Sequence, residues 1–146
     1  MKLVQKIGKY ICLTKEEKAL FRQALYLMIG WKMRIILFPM RKYAKFLGKK
    51  GEDSVNSDVS KDYLINKFTQ AIHRADSVLP WESKCLTEAI ATKRLLERYN
   101  IKSTLFLGVT KDENQKLIAH AWLRYGEHII SGERGYLRFT IVEKFT

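Results

Sequence analysis

The chain has 146 residues, 47% hydrophobic and 12% aromatic, the size and apolar content of one compact domain that folds without a disulfide or metal staple. Its two cysteines, Cys12 and Cys85, form no CxxC pair, which argues against a disulfide framework or zinc ribbon and suits a reducing compartment. The net charge of +12 is lopsided: thirteen of the 27 Lys and Arg lie in residues 1–50, opposed there only by Glu16 and Glu17. That basic third carries no zinc-finger spacing, no glycine-rich phosphate loop and no RNA-binding aromatic motif. It therefore reads as a docking surface for a membrane, an acidic partner or a peptide, with no nucleic acid expected. Charged residues precede the first apolar stretch and no small-residue cleavage site follows it. The expected location is cytoplasmic, with peripheral contact at the inner face of the membrane open to the N-terminal helix.

Thr14-Lys15-Glu16-Glu17 fits a capping box and predicts a long helix. Leu20, Ala24, Leu27, Met28, Trp31, Ile35 and Phe38 recur at three and four residues as its apolar stripe, and Pro39 ends it. Arg22, Lys32 and Arg34 break the run, so no membrane-spanning stretch forms. Gly48 to Asp58 is polar and rich in turn formers, a flexible surface loop by composition. A second helix is expected from about Ser60 to Val78, with Leu64, Ile65, Phe68, Ile72 and Ala75 inward and Pro80 as its stop. A third starts near Cys85, with Ser83 as N-cap and Leu86, Ala89, Ile90, Leu95 and Leu96 buried.

After Asn100 the pattern turns to strand. Strands are expected at Ser103 to Thr110, Ile118 to Tyr125, His128 to Ser131 and Tyr136 to Val142. Lys111 to Gln115 makes the first turn and Gly126-Glu127 a short hairpin. Helices first and an antiparallel sheet second is an α+β layout. The organisation expected is a basic, apolar helical segment over 1–50 and a core over 58–146, joined in one compact domain.

Two residues carry the chemistry. Cys85 opens a helix, whose positive end favours a thiolate. His120 sits mid-strand in Ala119-His120-Ala121-Trp122, on the face opposite the two alanines and shared with Trp122. Each alone has an ordinary explanation: a lone Cys is usually a small core residue, as is expected of Cys12, and a lone strand His is usually a satisfied structural one. Cys on a helix followed by His on a strand is the order of the papain-like and transglutaminase-like thiol enzymes. His73 reads as a surface residue and His128 as a strand-edge residue. Three His and two Cys show no metal-ligand spacing, and no cofactor is expected.

The series Cys85-Leu86-Thr87-Glu88-Ala89, Leu95 to Ile101, Leu107-Gly108-Val109 and Ala119-His120-Ala121-Trp122-Leu123 resembles the transglutaminase-like leader peptidase of lasso-peptide biosynthesis. The likeness is to the stand-alone peptidase half of the split B protein, and it covers residues 80–146. Asn100 stands where that family commonly has Gly, and Asn tolerates the same left-handed turn. The resemblance implies a cysteine peptidase that removes the leader from a ribosomally made precursor, with Cys85 as nucleophile and His120 as base. It also implies a leader-binding partner protein and an ATP-dependent lasso cyclase acting on the freed N-terminus. Two other functions fit the same residues: a thiol acyltransferase on this scaffold, and a basic protein that docks nucleic acid or membrane through its N-terminal segment without catalysis.

The family often places an Asp on the strand after the His, and here Ser131-Gly132-Glu133 occupies that stretch. If Gly126-Glu127 is a two-residue hairpin loop, Tyr125 pairs with His128, and a uniform register sets His120 opposite Glu133. Glu133 is then the expected third catalytic residue. A bulge, for which Gly132 is suited, would turn Glu133 away and leave a Cys85–His120 dyad steadied by a backbone carbonyl or another side chain.

Overall fold

The computed structural model describes residues 2–82 and 84–146. Five helices come first: α1 (Lys2–Ile11), α2 (Lys15–Leu37), α3 (Met40–Tyr43), α4 (Asp62–Val78) and α5 (Cys85–Arg98). Four strands follow: β1 (Thr104–Lys111), β2 (Leu117–Tyr125), β3 (His128–Ser131) and β4 (Thr140–Phe145). The strands form one antiparallel sheet in the order β3-β2-β1-β4. The fold is α+β, with helices packed on one face of that sheet.

The capping box forms as its sequence requires. Glu17 N–H donates to Thr14 Oγ1 at 3.2 Å, and Thr14 N–H donates to Glu17 Oε2 at 3.0 Å. The α2 stripe buries Leu20, Ala24, Met28 and Trp31. Phe38 lies beyond the helix, in the extended backbone that a following proline imposes, and is exposed rather than buried. In α4 the buried row is Ile65, Phe68, Ala71, Ile72 and Ala75. Leu64 is exposed, because it stands 100° around the helix from Ile65, off the row that continues to Phe68 and Ile72.

Helix α2 packs on both α4 and α5, and α5 lies along β2. Asn100 closes α5 in the left-handed conformation, φ 56°, and Ile101 N–H returns to Leu96 C=O at 3.0 Å. Ala121, Leu123, Tyr125, Leu105 and Phe145 point into the core shared with the helices. The alternate residues Phe106 and Trp122 are buried on the opposite face, stacked at 5.6 Å.

Two expectations about connections change. The segment from Gly48 to Asp58 is tied to the sheet rather than free. Ser54 N–H donates to Thr104 Oγ1 at 3.0 Å, Asp58 N–H donates to Tyr125 Oη at 2.7 Å, and Asp53 pairs with Arg124 and Lys144. Its polar residues serve the sheet end that they cross. The last strand begins at Thr140, not Tyr136. Gly135 adopts φ 73° and leads Tyr136–Arg138 into a 3₁₀ turn, which uses up the residues that read as the strand's start.

Candidate active site

Cys85 is the first residue of α5. Lys84, in extended backbone, is the N-cap and its side chain makes no capping hydrogen bond. The expected cap, Ser83, lies outside the described residues. Glu88 N–H reaches Lys84 C=O at 3.3 Å, so the N–H groups of Cys85, Leu86 and Thr87 are the ones a helix start leaves without intrahelical acceptors. The Cys85 thiol is half-buried and packs against the core beside Leu86.

His120 stands on β2 directly across from Gly108 of β1. Its ring lies 5.0 Å from Phe139 and 5.9 Å from Trp122, centroid to centroid. Gly108 makes this packing possible. A Cβ there would lie 2.8 Å from the Trp122 ring and 2.9 Å from Phe139 Cβ. The ring is also fixed by a hydrogen bond of 2.7 Å between Nε2 and the Gly132 carbonyl. A carbonyl oxygen only accepts, so Nε2 carries the hydrogen and the neutral ring keeps its lone pair on Nδ1.

The register between β2 and β3 decides the place of Glu133. Tyr125 pairs with His128 and Arg124 with Ile129, as the hairpin reading requires, but Leu123 then pairs with Ser131. One residue, Ile130, is extra on β3. This bulge breaks the uniform pairing that set Glu133 opposite His120, and it brings the Gly132 carbonyl to the imidazole instead. Glu133 is exposed in the following turn, and among the described residues its carboxylate takes part in no hydrogen bond or ion pair. Gly132 itself has φ 74°. A Cβ on it would stand 3.0 Å from Trp122 Cα and closer still to the Ala121 carbonyl oxygen. Only glycine fits there without displacement.

Among the described residues no hydrogen bond joins Cys85 to His120. Cys85 packs with the helical core, whereas His120 shares the sheet face of Trp122 and Phe139. The structure does not bring the two together: Cys85 lies on the helix side of the sheet, where Ala121 and Leu123 point, and His120 lies on the other.

The other singled-out residues sort plainly. Cys12 is exposed, not a core residue, because it lies just past the end of α1, outside any packed stripe. His73 is largely exposed on α4 and reaches Glu88 of α5 at 3.4 Å. Burial lifts Glu88 above the ordinary carboxylate range, His73 pulls it back and Asp76 pushes it up. Among the described residues no three His, Cys, Asp or Glu side chains cluster as a metal site would need. No helix of the described residues is long and apolar enough to cross a membrane.

Residues 27–144 match the family model of the transglutaminase-like superfamily. The chain belongs to that superfamily. It is also similar to the microcin J25-processing protein McjB of Escherichia coli, with 24% identity over 124 residues. The alignment covers 82% of this chain and 58% of that relative, so the chain spans little more than half the relative's length. No solved structure matches the chain. The matched span contains both Cys85 and His120.

Proposed function

We propose that this chain is a cysteine peptidase that removes the leader from a ribosomally made precursor of the lasso-peptide class. The observation that carries the reading is Cys85 at the first position of a 14-residue helix, in a chain of the transglutaminase-like superfamily. The relative named as a microcin-processing protein supports precursor processing as the task.

On this reading the thiolate of Cys85 attacks the scissile carbonyl. The free N–H groups in the first turn of α5 receive the developing oxyanion. His120 takes the thiol proton and returns it to the leaving amine. Nδ1 is the nitrogen for that work, since Nε2 is engaged by the Gly132 carbonyl. Water then hydrolyses the thioester, regenerating the thiol and releasing the leader as a carboxylic acid. In this structure the two groups stand on opposite sides of the sheet, so the mechanism requires β2 or α5 to rearrange in the peptide complex until Cys85 Sγ and His120 Nδ1 meet. The amine freed by cleavage is the group that an ATP-dependent cyclase would use for ring closure. A leader-binding protein would deliver the precursor.

The test is cleavage of a synthetic precursor followed by mass spectrometry. Cys85→Ala should lower turnover by about a thousand-fold or more while leaving the melting temperature in place. Precursor cleavage at the wild-type rate by Cys85→Ala would overturn the assignment.

A further inference from the structure

A cleft of about 590 Å³ lies between α2 and the last turns of α5, lined by Tyr26, Trp31, Arg34, Phe46, Arg94 and Arg98 among others. Its charges do not balance. Glu97 is the acid of this lining, and both of its oxygens are taken, Oε1 by Lys93 and Oε2 by Arg94, each at 2.8 Å. Arg94 is further held by the Phe46 carbonyl. Arg34 and Arg98 have no carboxylate partner among the described residues: Arg34 lies over the Trp31 ring at 5.2 Å, and Arg98 donates only to Gln23, at 3.3 Å. Arg94 lies over the same indole at 5.5 Å. Guanidinium groups thus crowd one aromatic ring, with two of the cleft's cations left open to solvent. Tyr26 and Phe46 are exposed at its sides.

We propose that this cleft binds an acidic peptide segment. Paired guanidinium groups recognise carboxylates through bidentate hydrogen bonds, and the flanking rings accept apolar side chains of the same segment. The cleft's shape favours a peptide over nucleic acid, which would want an extended basic track. The net charge of +12 disfavours a second copy of this chain as the occupant. Arg94 and Arg98 follow Cys85 on the same helix by nine and thirteen residues. At about 100° per residue they project roughly 180° and 140° around α5 from Cys85, so the cleft is a site apart from the candidate thiol and its ligand class does not rest on the proposed peptidase.

The experiment measures binding without turnover. A fluorescein-labelled octapeptide of alternating Glu and Leu is titrated by anisotropy into the full chain, beside the same peptide with Gln for Glu. The acidic peptide should bind, and Arg34→Gln with Arg98→Gln should weaken it by about ten-fold or more. The equal charge change at Lys111→Gln with Lys116→Gln, in the β1–β2 turn, should cost less than about two-fold at the same salt. Equal losses in the two double variants, equal binding of the Gln peptide, or no binding would overturn the proposal. So would tighter binding, governed by Arg34 and Arg98, to phosphatidylglycerol vesicles or a single-stranded oligonucleotide. Because Cys85 is untouched, a failed peptidase assay and a failed binding assay are separate results.

Discussion

Gly132 and Gly135 offer a controlled comparison. Both are left-handed, at φ 74° and 73°, and they lie three residues apart in one connection. They differ in space. A Cβ at Gly135 would meet nothing nearer than Arg138 Nε at 3.6 Å, whereas one at Gly132 would press into the backbone of Ala121 and Trp122. Gly135→Ala should therefore cost only the left-handed penalty, about 1–2 kcal/mol. Gly132→Ala should add an overpacking cost of about 1–3 kcal/mol, because the obstructing atoms are sheet backbone and cannot rotate away. At roughly 3 °C per kcal/mol for a domain of this size, the melting temperatures should fall by about 4 °C and about 10 °C. Thermal unfolding followed by circular dichroism reads both. Gly132→Ala should also loosen His120, seen as faster solvent exchange of the Nε2 hydrogen and a tautomer mixture in the imidazole ¹⁵N spectrum. Equal melting shifts for the two variants would refute the close approach of Gly132 to β2. An unchanged His120 spectrum would refute the carbonyl as its anchor.

Gly108→Ala should destabilise by about 1–3 kcal/mol, since its Cβ would meet the Trp122 ring and Phe139; a wild-type melt would contradict the stacked packing around His120. Glu133→Gln should leave precursor turnover and its pH profile unchanged, because Glu133 makes no contact with the imidazole; a large fall in turnover would restore it to the mechanism. Cys12→Ala should leave stability within about 0.5 kcal/mol, as expected for an exposed site. Burial raises Glu88 above its ordinary value of 4.5, so the folded chain holds that proton more tightly than the unfolded one, and stability is lost as pH rises from that value through the raised one. Glu88→Gln should accordingly raise the melting temperature at pH 7 and change it little at pH 4; equal effects at both would contradict the raised value.

Much of this fold is written in local chemistry. The capping box at Thr14, the stop at Pro39, the Asn100 turn and the Tyr125–His128 hairpin each depend on residues within a few positions of one another, so a sequence pattern suffices to find them. The errors fall where distant segments decide. Gly48 to Asp58 reads as a free loop because its partners, Thr104, Arg124 and Tyr125, lie about fifty or more residues ahead. The loop's polarity is that of a strap supplying donors and acceptors to a sheet end, and composition alone does not separate a strap from a solvated loop.

The candidate site shows the same limit at finer scale. Residue types point to Cys85 and His120 because a thiol and an imidazole are the rare groups suited to acyl transfer. The third member follows from register, and register is a sum in which a single extra residue reverses every later face. Ile130 is that residue. A search for an acid could not have found the partner of His120, since a carbonyl belongs to every residue and marks none. What marks this one is Gly132, the position where the chain turns left-handed against β2 and where a side chain has no room. The exchange has a chemical consequence. A carboxylate can accept the imidazolium proton's charge directly, whereas a carbonyl offers only a dipole and gives the cation less support. What the Gly132 carbonyl supplies to His120 is therefore orientation and tautomer, with the hydrogen held on Nε2.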